Sequence, residues 1–216
     1  MTIIISKIKK YIKVLLSYLI LLFWIIRPRT NNHKTKLYLF GVAKWKHELM
    51  KFYFDKYSLT FVPFGSKFSF LKYELAKHEN IAFGIWGYNE SLEVLEYAEK
   101  NNIKVIRIED GFVRSKGLGS LHALPYSLCV DEKGMYFDAT QPSELEDILN
   151  TYDFSEDTRI IEQAKICMGK LINQRISKYN HLPSKDVQKL YGPKKQKRIL
   201  VIGQVEEDAS IKKGML

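Results

Sequence analysis

The segment RIEDGFVRSKGLGS, residues 107–120, places two adjacent carboxylates directly after a short apolar run. The residues just before the pair, KVIRI at 104–108, are typical of a buried strand. Glu109 and Asp110 are therefore expected where a strand ends and a loop begins. Gly111 follows them, and then come the cations Arg114 and Lys116 and a glycine-rich run at 117–119. The segment predicts acids, cations and glycines gathered at the carboxyl end of one strand.

The chain on either side of this segment alternates short apolar runs with amphipathic ones. The predicted elements are, in order, a strand at 37–41, a helix at 46–57, a strand at 60–63, a helix at 68–78, a strand at 81–87, a helix at 91–101, and strands at 104–108 and 127–131. Strands that alternate with helices of about ten residues predict a Rossmann-like α/β domain, with a parallel sheet and helices on both faces. The ligand crevice of such a sheet lies at the carboxyl ends of its strands. Glu109 and Asp110 fall at such an end.

Beyond residue 131 the predicted elements are less regular. They are a hairpin edge at 135–137, a helix that begins at the Ser-x-x-Glu spacing of 143–146, a longer helix over 157–180, a charged linker at 191–198 and a buried strand, ILVIG, at 199–203. A buried parallel strand needs neighbours on both sides, and few residues follow the last one. We therefore expect that a second α/β domain begins near residue 197 and is cut short.

Three parts of the chain are expected on these patterns. They are a basic and hydrophobic membrane-associating leader at 1–34, a Rossmann-like α/β domain at 35–192, and a linker with the first strand of a truncated second α/β domain at 193–216.

The positive charge is concentrated at the start of the chain. The 216 residues carry a net charge of +10, and residues 1–34 contain seven Lys and Arg with no acid, which leaves +3 for the rest. A basic surface of the kind that binds nucleic acid is therefore not expected on the α/β domain.

The leader contains 13 residues, 14–26, that are all apolar or aromatic except Ser17. A spanning helix needs about 20 such residues, and cations flank this run on both sides. The preferred interpretation is a helix anchored in the cytoplasmic leaflet of the inner membrane, with Lys7 to Lys13 near anionic headgroups. A buried core helix and a single membrane span are the alternatives.

The cysteines and histidines show no metal-binding spacing. Cys129 and Cys167 lie far apart without a CxxC motif, which predicts reduced structural thiols. No cofactor is expected, and a metal-independent reaction is the default.

Three blocks resemble one known family in order and spacing. They are IEDGFVRSKGLGS at 108–120, LPYSLCVDEKGMYFDATQPSELEDIL at 124–149 and ILVIGQVEEDAS at 199–210. Together they resemble the capsule polysaccharide biosynthesis and export family of Gram-negative bacteria, in particular its β-Kdo glycosyltransferases. The resemblance implies a GT-B-like architecture of two Rossmann-like halves, of which this chain would hold the first.

The resemblance also implies substrates and partners. The donor would be CMP-Kdo, a nucleotide sugar, and the acceptor a lipid-linked glycan built on lysophosphatidylglycerol. The reaction would take place at the cytoplasmic membrane surface, next to the capsule export machinery. Because the family's donor nucleotide is held largely by the second half, the polypeptide alone is expected to be a poor or inactive transferase.

Retaining transfer by double displacement needs a carboxylate nucleophile and a nearby acid/base group. Adjacent residues of an extended segment point in opposite directions, so Glu109 and Asp110 can face one substrate atom only if the turn reorients one of them. Gly111 allows such a turn without steric cost. Asp110 is the predicted nucleophile, in agreement with the family's acidic motif, and Glu109 the supporting or acid/base group.

Further substrate-binding candidates follow the acidic pair or belong to the third block. Arg114 and Lys116 could neutralise the donor's carboxylate or an acceptor phosphate, and an anion could be bound by backbone N–H groups of Gly117, Gly119 and Ser120. The resemblance adds Gln204, Glu206 and Asp208.

A structural interpretation of the same residues remains open. The acidic pair could form a solvated turn in which Arg114 simply pairs with Asp110. Asp131 and Asp138 are interpreted as turn or strand-end residues, and Tyr136 and Phe137 as core. The alternative function is that of a non-catalytic, membrane-associated component of capsule assembly or export. Dinucleotide binding is disfavoured because the first turn, FGVA at 40–43, lacks a Gly-x-Gly-x-x-Gly motif.

Overall fold

The computed structural model describes most of the chain, namely residues 2–28, 33–115, 122–177, 183, 185–201, 203, 206 and 208–214. The chain divides into two compact units, Met1–Ile108 and Glu109–Leu216. The boundary between them falls inside a strand, directly before the acidic pair.

The first unit is built on a parallel sheet. Its strands are β1 (Lys36–Phe40), β2 (Ser58–Phe61), β3 (Ile81–Trp86) and β4 (Lys104–Asp110). They lie in the order β2-β1-β3-β4, and every recorded pairing among them is parallel. All five residues of β1 are buried, as expected of a central strand covered on both faces. The predicted parallel α/β fold is confirmed.

Four helices belong to this unit. They are α1 (Thr2–Ile26), α2 (His47–Tyr53), which follows a short 3-10 helix at Lys44–Lys46, α3 (Phe68–Leu75) and α4 (Leu92–Lys100). The last three overlap the predicted helices at 46–57, 68–78 and 91–101. The apolar periodicity of the sequence therefore predicted the alternation of helices and strands correctly.

The main core cluster lies on one face of this sheet. Tyr38 and Phe40 of β1 pack there with Phe83 of β3, and α3 and α4 contribute the buried side chains Phe68, Leu71, Leu75, Val94 and Ala98. Leu37 and Leu39 point to the other face, because side chains alternate along a strand, and they are also fully buried. The sheet is thus covered on both faces.

The last turns of α1 are attached to this core. The Trp24 side chain is fully buried in the core cluster, and α1 contacts α3. The ammonium group of Lys77 donates to the carbonyl oxygens of Trp24, Ile25 and Arg27 at 2.8, 3.0 and 2.7 Å. A lysine at the last carbonyls of a helix satisfies acceptors that have no intrahelical partner. The core-helix alternative therefore holds for this end of α1.

Most of α1 has a different environment. Large apolar side chains of its middle turns are exposed, including Leu15, Leu19 and Leu22. Within the described residues we find no helix whose length and apolarity suffice for a membrane crossing.

The second unit begins with the last two residues of β4. It contains the strand β5 (Leu128–Asp131) and the helices α5 (Glu144–Thr151), α6 (Thr158–Asn173), α7 (Val187–Tyr191) and α8 (Ala209–Gly214). The predicted helix start is confirmed, since Ser143 caps α5 and its Oγ accepts from the backbone N–H of Glu146 at 3.1 Å.

Two predicted strands of this unit do not form. Residues 135–137 lie in a turn, closed by the bond from Asp138 N–H to Met135 O at 2.9 Å, and only Met135 of the three is buried. The described residues of the predicted strand at 199–203, namely 199–201 and 203, lie outside helices and strands, and the side chains at 199–201 are 80–86% exposed. An apolar run forms a strand only where a second strand completes its hydrogen bonds.

Candidate functional site

The acidic pair lies at the carboxyl end of β4, as predicted. Asp110 is the last residue of the strand. Two backbone hydrogen bonds hold the following loop against the segment before β5: Gly111 N–H donates to Ser127 O at 2.9 Å, and Tyr126 N–H donates to Arg114 O at 2.7 Å. The loop that carries the candidate nucleophile is therefore fixed on both sides by the backbone.

Gly111 is required by a close approach of two chain segments. A Cβ atom at this position would lie 2.3 Å from Ser127 Oγ and 2.8 Å from Ser127 Cβ, closer than real side chains come. Its φ is not in the left-handed region. Gly111 was expected for its conformational freedom, and that reason is wrong. Glycine is needed here because a side chain would collide with Ser127.

Asp110 and Arg114 form an ion pair. Arg114 Nε donates to Asp110 Oδ2, and Arg114 Nη1 donates to Ser115 Oγ at 2.7 Å. The Arg114 side chain is only 2% exposed, whereas that of Asp110 is 24% exposed. Arg114 thus points inward and orients the carboxylate. The ion pair between Arg114 and Asp110 that the structural interpretation predicted is therefore present. The carboxylate itself remains partly accessible at the strand end.

Glu109 turns back toward the backbone. Its Oε1 accepts from the N–H of Asp110 at 2.9 Å. Burial, and after it the charges of Asp131 and Glu109, raise the pKa of the Cys129 thiol. Glu109 therefore does not share one direction with Asp110, as the alternation of an extended segment requires.

Tyr136 is a residue of this site that the sequence interpretation missed. It was assigned to the core, but its side chain is 39% exposed and its ring packs on Phe112 with centroids 4.7 Å apart. Burial, followed by the charges of Glu109, Cys129, Asp110 and Asp208, raises the pKa of its hydroxyl. The charges of both acids of the pair therefore act on the phenol. Its place inside the second motif block was the available signal.

Asp208 of the third block is brought to the same place. The helix α8 is attached to the turn around Tyr136, because Ala139 N–H donates to Lys213 O at 2.9 Å and Lys213 Nζ donates to Asp138 Oδ2 at 3.0 Å. Asp208 Oδ1 accepts from Ser210 N–H and Oγ at 2.9 and 2.7 Å. Its carboxylate joins the acidic surroundings of Tyr136.

Of the remaining candidates, only Glu206 is among the described residues. Glu206 is exposed in a turn. Lys116, Gly117, Gly119, Ser120 and Gln204 lie outside the described residues. Their assigned roles stay predictions.

Asp131 and Asp138 of the second block organise turns, as interpreted from the sequence. Asp131 is 1% exposed and accepts from the N–H groups of Lys133 and Gly134 through Oδ1 and of Glu144 through Oδ2, at 2.8–2.9 Å. Asp138 is 4% exposed and accepts from Thr140 and Gln141. Carboxylates saturated in this way position the backbone around the site.

An open, mostly apolar groove of ≈ 710 Å³ begins next to Asp110. Gly111, Phe112 and Val113 line one side of it, and Val130 and Ile148 are among the residues of the other. The arrangement therefore offers an oriented, partly exposed carboxylate beside a surface suited to an apolar group.

The sequence from β3 onward matches a known family. Residues 82–215 match the family model described as capsule polysaccharide biosynthesis protein. The chain belongs to this family. The match confirms the family expected from the three motif blocks.

Curated relatives of the family extend over most of this chain. It is 37% identical over 184 residues to the lipopolysaccharide-processing protein LpsZ of Rhizobium meliloti, covering 85% of this chain and 42% of LpsZ. It is 33% identical over 190 residues to the capsule polysaccharide modification protein LipA of Neisseria meningitidis, covering 88% of this chain and 26% of LipA. The chain thus spans less than half the length of these family members.

Solved structures of the family show the same fold. The chain resembles KpsC from Thermosulfurimonas dismutans, in one structure titled beta Kdo 2,4 transferase, with a TM-score of 0.63 and 30% identity, covering 84% of this chain and 52% of that one. The structure titled beta Kdo 2,7 transferase gives a TM-score of 0.57 and 32% identity, covering 82% and 51%.

Proposed function

We propose that this chain contributes the nucleophile-bearing half of a retaining β-Kdo transferase, in a GT-B-like architecture that uses CMP-Kdo as donor and a lysophosphatidylglycerol-linked acceptor. The observation that carries the proposal is Asp110, an oriented and partly exposed carboxylate at the carboxyl end of β4. The similarity of the chain to the KpsC structures described as beta Kdo transferases supports a Kdo donor.

The reaction would proceed in two displacements. An Asp110 oxygen attacks the anomeric carbon of the Kdo donor, and the bond to the phosphate oxygen of CMP breaks with its electron pair. An acceptor hydroxyl then attacks the same carbon, its proton passes to water, and the Asp110 carboxylate is released. Glu109, whose Oε1 is bound to the backbone N–H of Asp110, keeps the supporting role. Arg114 acts as a positioning residue, because it holds Asp110 Oδ2.

The acceptor side is supported by the apolar groove beside this loop. Phe112, Val113 and Ile148 line it and are 68%, 48% and 48% exposed. A lipid-linked acceptor would place acyl carbons there while its polar end reaches the strand end. Burial of exposed apolar surface of this kind favours binding.

Two measurements test the proposal. One follows variants of the chromosomal gene in the producing cell, and the other uses the purified chain. Asp110→Asn is expected to abolish Kdo-linked glycolipid in cell extracts. In the purified chain it should remove any covalent Kdo adduct formed with CMP-Kdo, as measured by peptide mass spectrometry. Glu48→Gln, an exposed carboxylate of the first unit, is the matched control and should leave both unchanged.

A second variant separates catalysis from folding. Asp110→Glu keeps a carboxylate for Arg114 but moves its oxygens by one methylene, so glycolipid should be lost while the thermal unfolding midpoint stays close to that of the unchanged chain. Glycolipid formation at normal levels in either Asp110 variant overturns the proposal.

One observation favours a second candidate, a non-catalytic component of capsule assembly or export. Asp110 already has an internal partner in Arg114, as structural carboxylates do. Under this alternative, an Asp110→Asn strain would still produce Kdo-linked glycolipid and surface capsule, and loss of capsule would follow only from variants that unfold the chain.

We also infer that α1 attaches the protein to the cytoplasmic face of the inner membrane. Leu15, Leu19 and Leu22 are 62%, 52% and 52% exposed, and the cations Lys9 and Lys13 are on the same helix. An exposed apolar face with cations is typical of helices that lie in anionic membrane interfaces. Flotation with phosphatidylglycerol vesicles should recover the chain, and Lys9→Glu with Lys13→Glu should weaken that recovery. Absence of flotation with any vesicle would disprove the attachment.

A further inference from the structure

Five buried side-chain polar atoms of the first unit have no hydrogen-bond partner among the described residues, and two of them, Ser66 Oγ and Glu90 Oε2, belong to residues that line one cavity. The Glu90 side chain is only 6% exposed, and its other oxygen, Oε1, accepts from Arg107 Nη1 at 2.7 Å. Both residues line the same cavity of ≈ 240 Å³. Because buried polar atoms in native proteins are nearly always paired, two such atoms at one cavity indicate a ligand that satisfies them.

The cavity lies where a ligand is expected in a parallel α/β sheet. Gly41 directly follows β1, residues 62–66 follow β2, and residues 89–91 follow β3, and all of them line the cavity. In the order β2-β1-β3-β4 the direction of the chain across the sheet reverses between β1 and β3. Open α/β sheets bind ligands at the carboxyl ends of the strands, at such a reversal point.

The charges around the cavity select the ligand class. Glu90 and Arg107 form a pair with no net charge, and the pair leaves a carboxylate oxygen, Glu90 Oε2, as an acceptor. The hydroxyl of Ser66 can donate or accept. An anionic ligand would place a second negative charge beside this oxygen, whereas a neutral hydroxyl can donate to it. The cavity therefore suits a neutral ligand with several hydroxyl groups.

Its size and apolar wall point to a ring. A volume of ≈ 240 Å³ equals about eight water molecules at roughly 30 Å³ each. Phe64, which is 67% exposed, stands at the same cavity, and Val62 and Phe68 are apolar neighbours. Binding sites for small molecules combine apolar and aromatic walls with a few placed polar groups in this way. We propose that this cavity binds a neutral saccharide ring, whose hydroxyls pair with Glu90 Oε2 and Ser66 Oγ and whose apolar face lies on Phe64.

This site stands apart from the proposed transferase function. It uses residues of the first unit only, and none of them belongs to the acidic pair or to the Tyr136 cluster. Asp110→Asn should therefore leave saccharide binding unchanged, so the two proposals fail or succeed separately.

The experiment is a titration of the purified full chain with methyl β-D-glucopyranoside, a neutral monosaccharide, followed by saturation-transfer NMR. D-Glucuronate is the charged comparison, and we expect about tenfold weaker binding for it because its carboxylate meets Glu90. Phe64→Ala and Ser66→Ala should each weaken binding of the neutral probe about tenfold.

The matched control is Phe52→Ala. Phe52 is 76% exposed on α2 and does not line the cavity, so its removal tests nonspecific aromatic contact. Neither Phe64 nor Phe52 is buried, so both variants should fold. If the neutral probe does not bind, because water alone satisfies the two atoms, the proposal is overturned. Equal affinities in the Phe64→Ala and Phe52→Ala variants, or an unchanged affinity in Ser66→Ala, also overturn it.

Discussion

Two carboxylates of this protein, Glu74 and Asp110, are held by cations in very different ways. Glu74 of α3 is 0% exposed, and Lys36, His78 and Lys77 lie 2.8, 3.3 and 3.4 Å from its oxygens. Asp110 at the end of β4 is 24% exposed, and its recorded ion pair is with Arg114. The first carboxylate is enclosed by the fold, whereas the second is oriented but still accessible.

The difference follows from what each carboxylate connects. Lys36 is the first residue of β1, Arg27 lies 3.9 Å from Glu74 just after α1, and the Tyr38 hydroxyl donates to Glu74 at 3.4 Å. Glu74 thus links a helix, a strand and the leader. The ion pair of Asp110 with Arg114 joins residues four positions apart. A charge pair in the core therefore stabilises structure, and a similar pair at the carboxyl end of a strand is suited to chemistry.

The largest expected effect comes from removing the enclosed carboxylate. Glu74→Gln leaves Lys36 buried without its anion, and breaking a buried pair on one side costs about 3–5 kcal/mol. Urea unfolding followed by circular dichroism at pH 7 measures the loss. Glu48→Gln, whose exposed pair with Lys51 spans 2.6 Å, is the control and should change the free energy of unfolding by less than about 0.5 kcal/mol.

The same residue gives a pH dependence. Burial acts to raise the pKa of Glu74, but the hydrogen bond and charge of Lys36, the charge of Arg27 and the hydrogen bond from Lys77 outweigh it, so the pKa lies below its ordinary value of 4.5. A lowered carboxyl pKa contributes stability that is present above pH 4.5 and is lost as the pH falls through the folded-state pKa. The difference between the unchanged chain and Glu74→Gln should therefore shrink in acid. A difference that grows in acid would contradict this account of the cluster.

The sequence revealed the enclosure of Glu74 far less well than the place of Asp110. Strand ends can be read from local periodicity, so Glu109 and Asp110 were placed correctly at the end of β4. Lys36 and Glu74 lie 38 positions apart, and no local pattern brings them together. Their contact depends on how α3 packs on β1, which only the tertiary structure determines.

The candidate site shows the same limit. The direction of Arg114 could not be predicted, because a residue four positions after Asp110 can reach solvent or the carboxylate with equal ease. Tyr136 was misassigned because an apolar run with one buried residue looks like a short strand. Asp208 was named through the family resemblance and not through any spacing, and its position near Tyr136 comes from the attachment of α8.

A smaller effect is expected where space, not charge, holds the Asp110 loop. Gly111→Ala places a Cβ atom 2.3 Å from Ser127 Oγ, and such overpacking costs about 1–3 kcal/mol. Gly169→Ala in α6 is the control, since nothing lies within 4 Å of its added atom, and alanine should stabilise that helix by up to about 1 kcal/mol. Thermal unfolding distinguishes the two. A neutral Gly111→Ala would mean that the loop yields easily.

The smallest expected effect is that of Ser127→Ala, which removes only the hydrogen bond from Ser127 Oγ to Val113 O at 2.9 Å. The bond is exposed, so its loss should cost about 0.5 kcal/mol. The same change removes the nearest atom to the Cβ of Gly111→Ala, and the double variant should therefore be more stable than the sum of the two single changes by about 0.5–1 kcal/mol. Ser155→Ala, at an exposed turn, is the control. Its effect on the free energy of unfolding should simply add to that of Gly111→Ala. If both double variants are additive, the backbone of Ser127 and not its hydroxyl excludes a side chain at position 111, and the loop that carries Asp110 is set by the approach of two main chains alone.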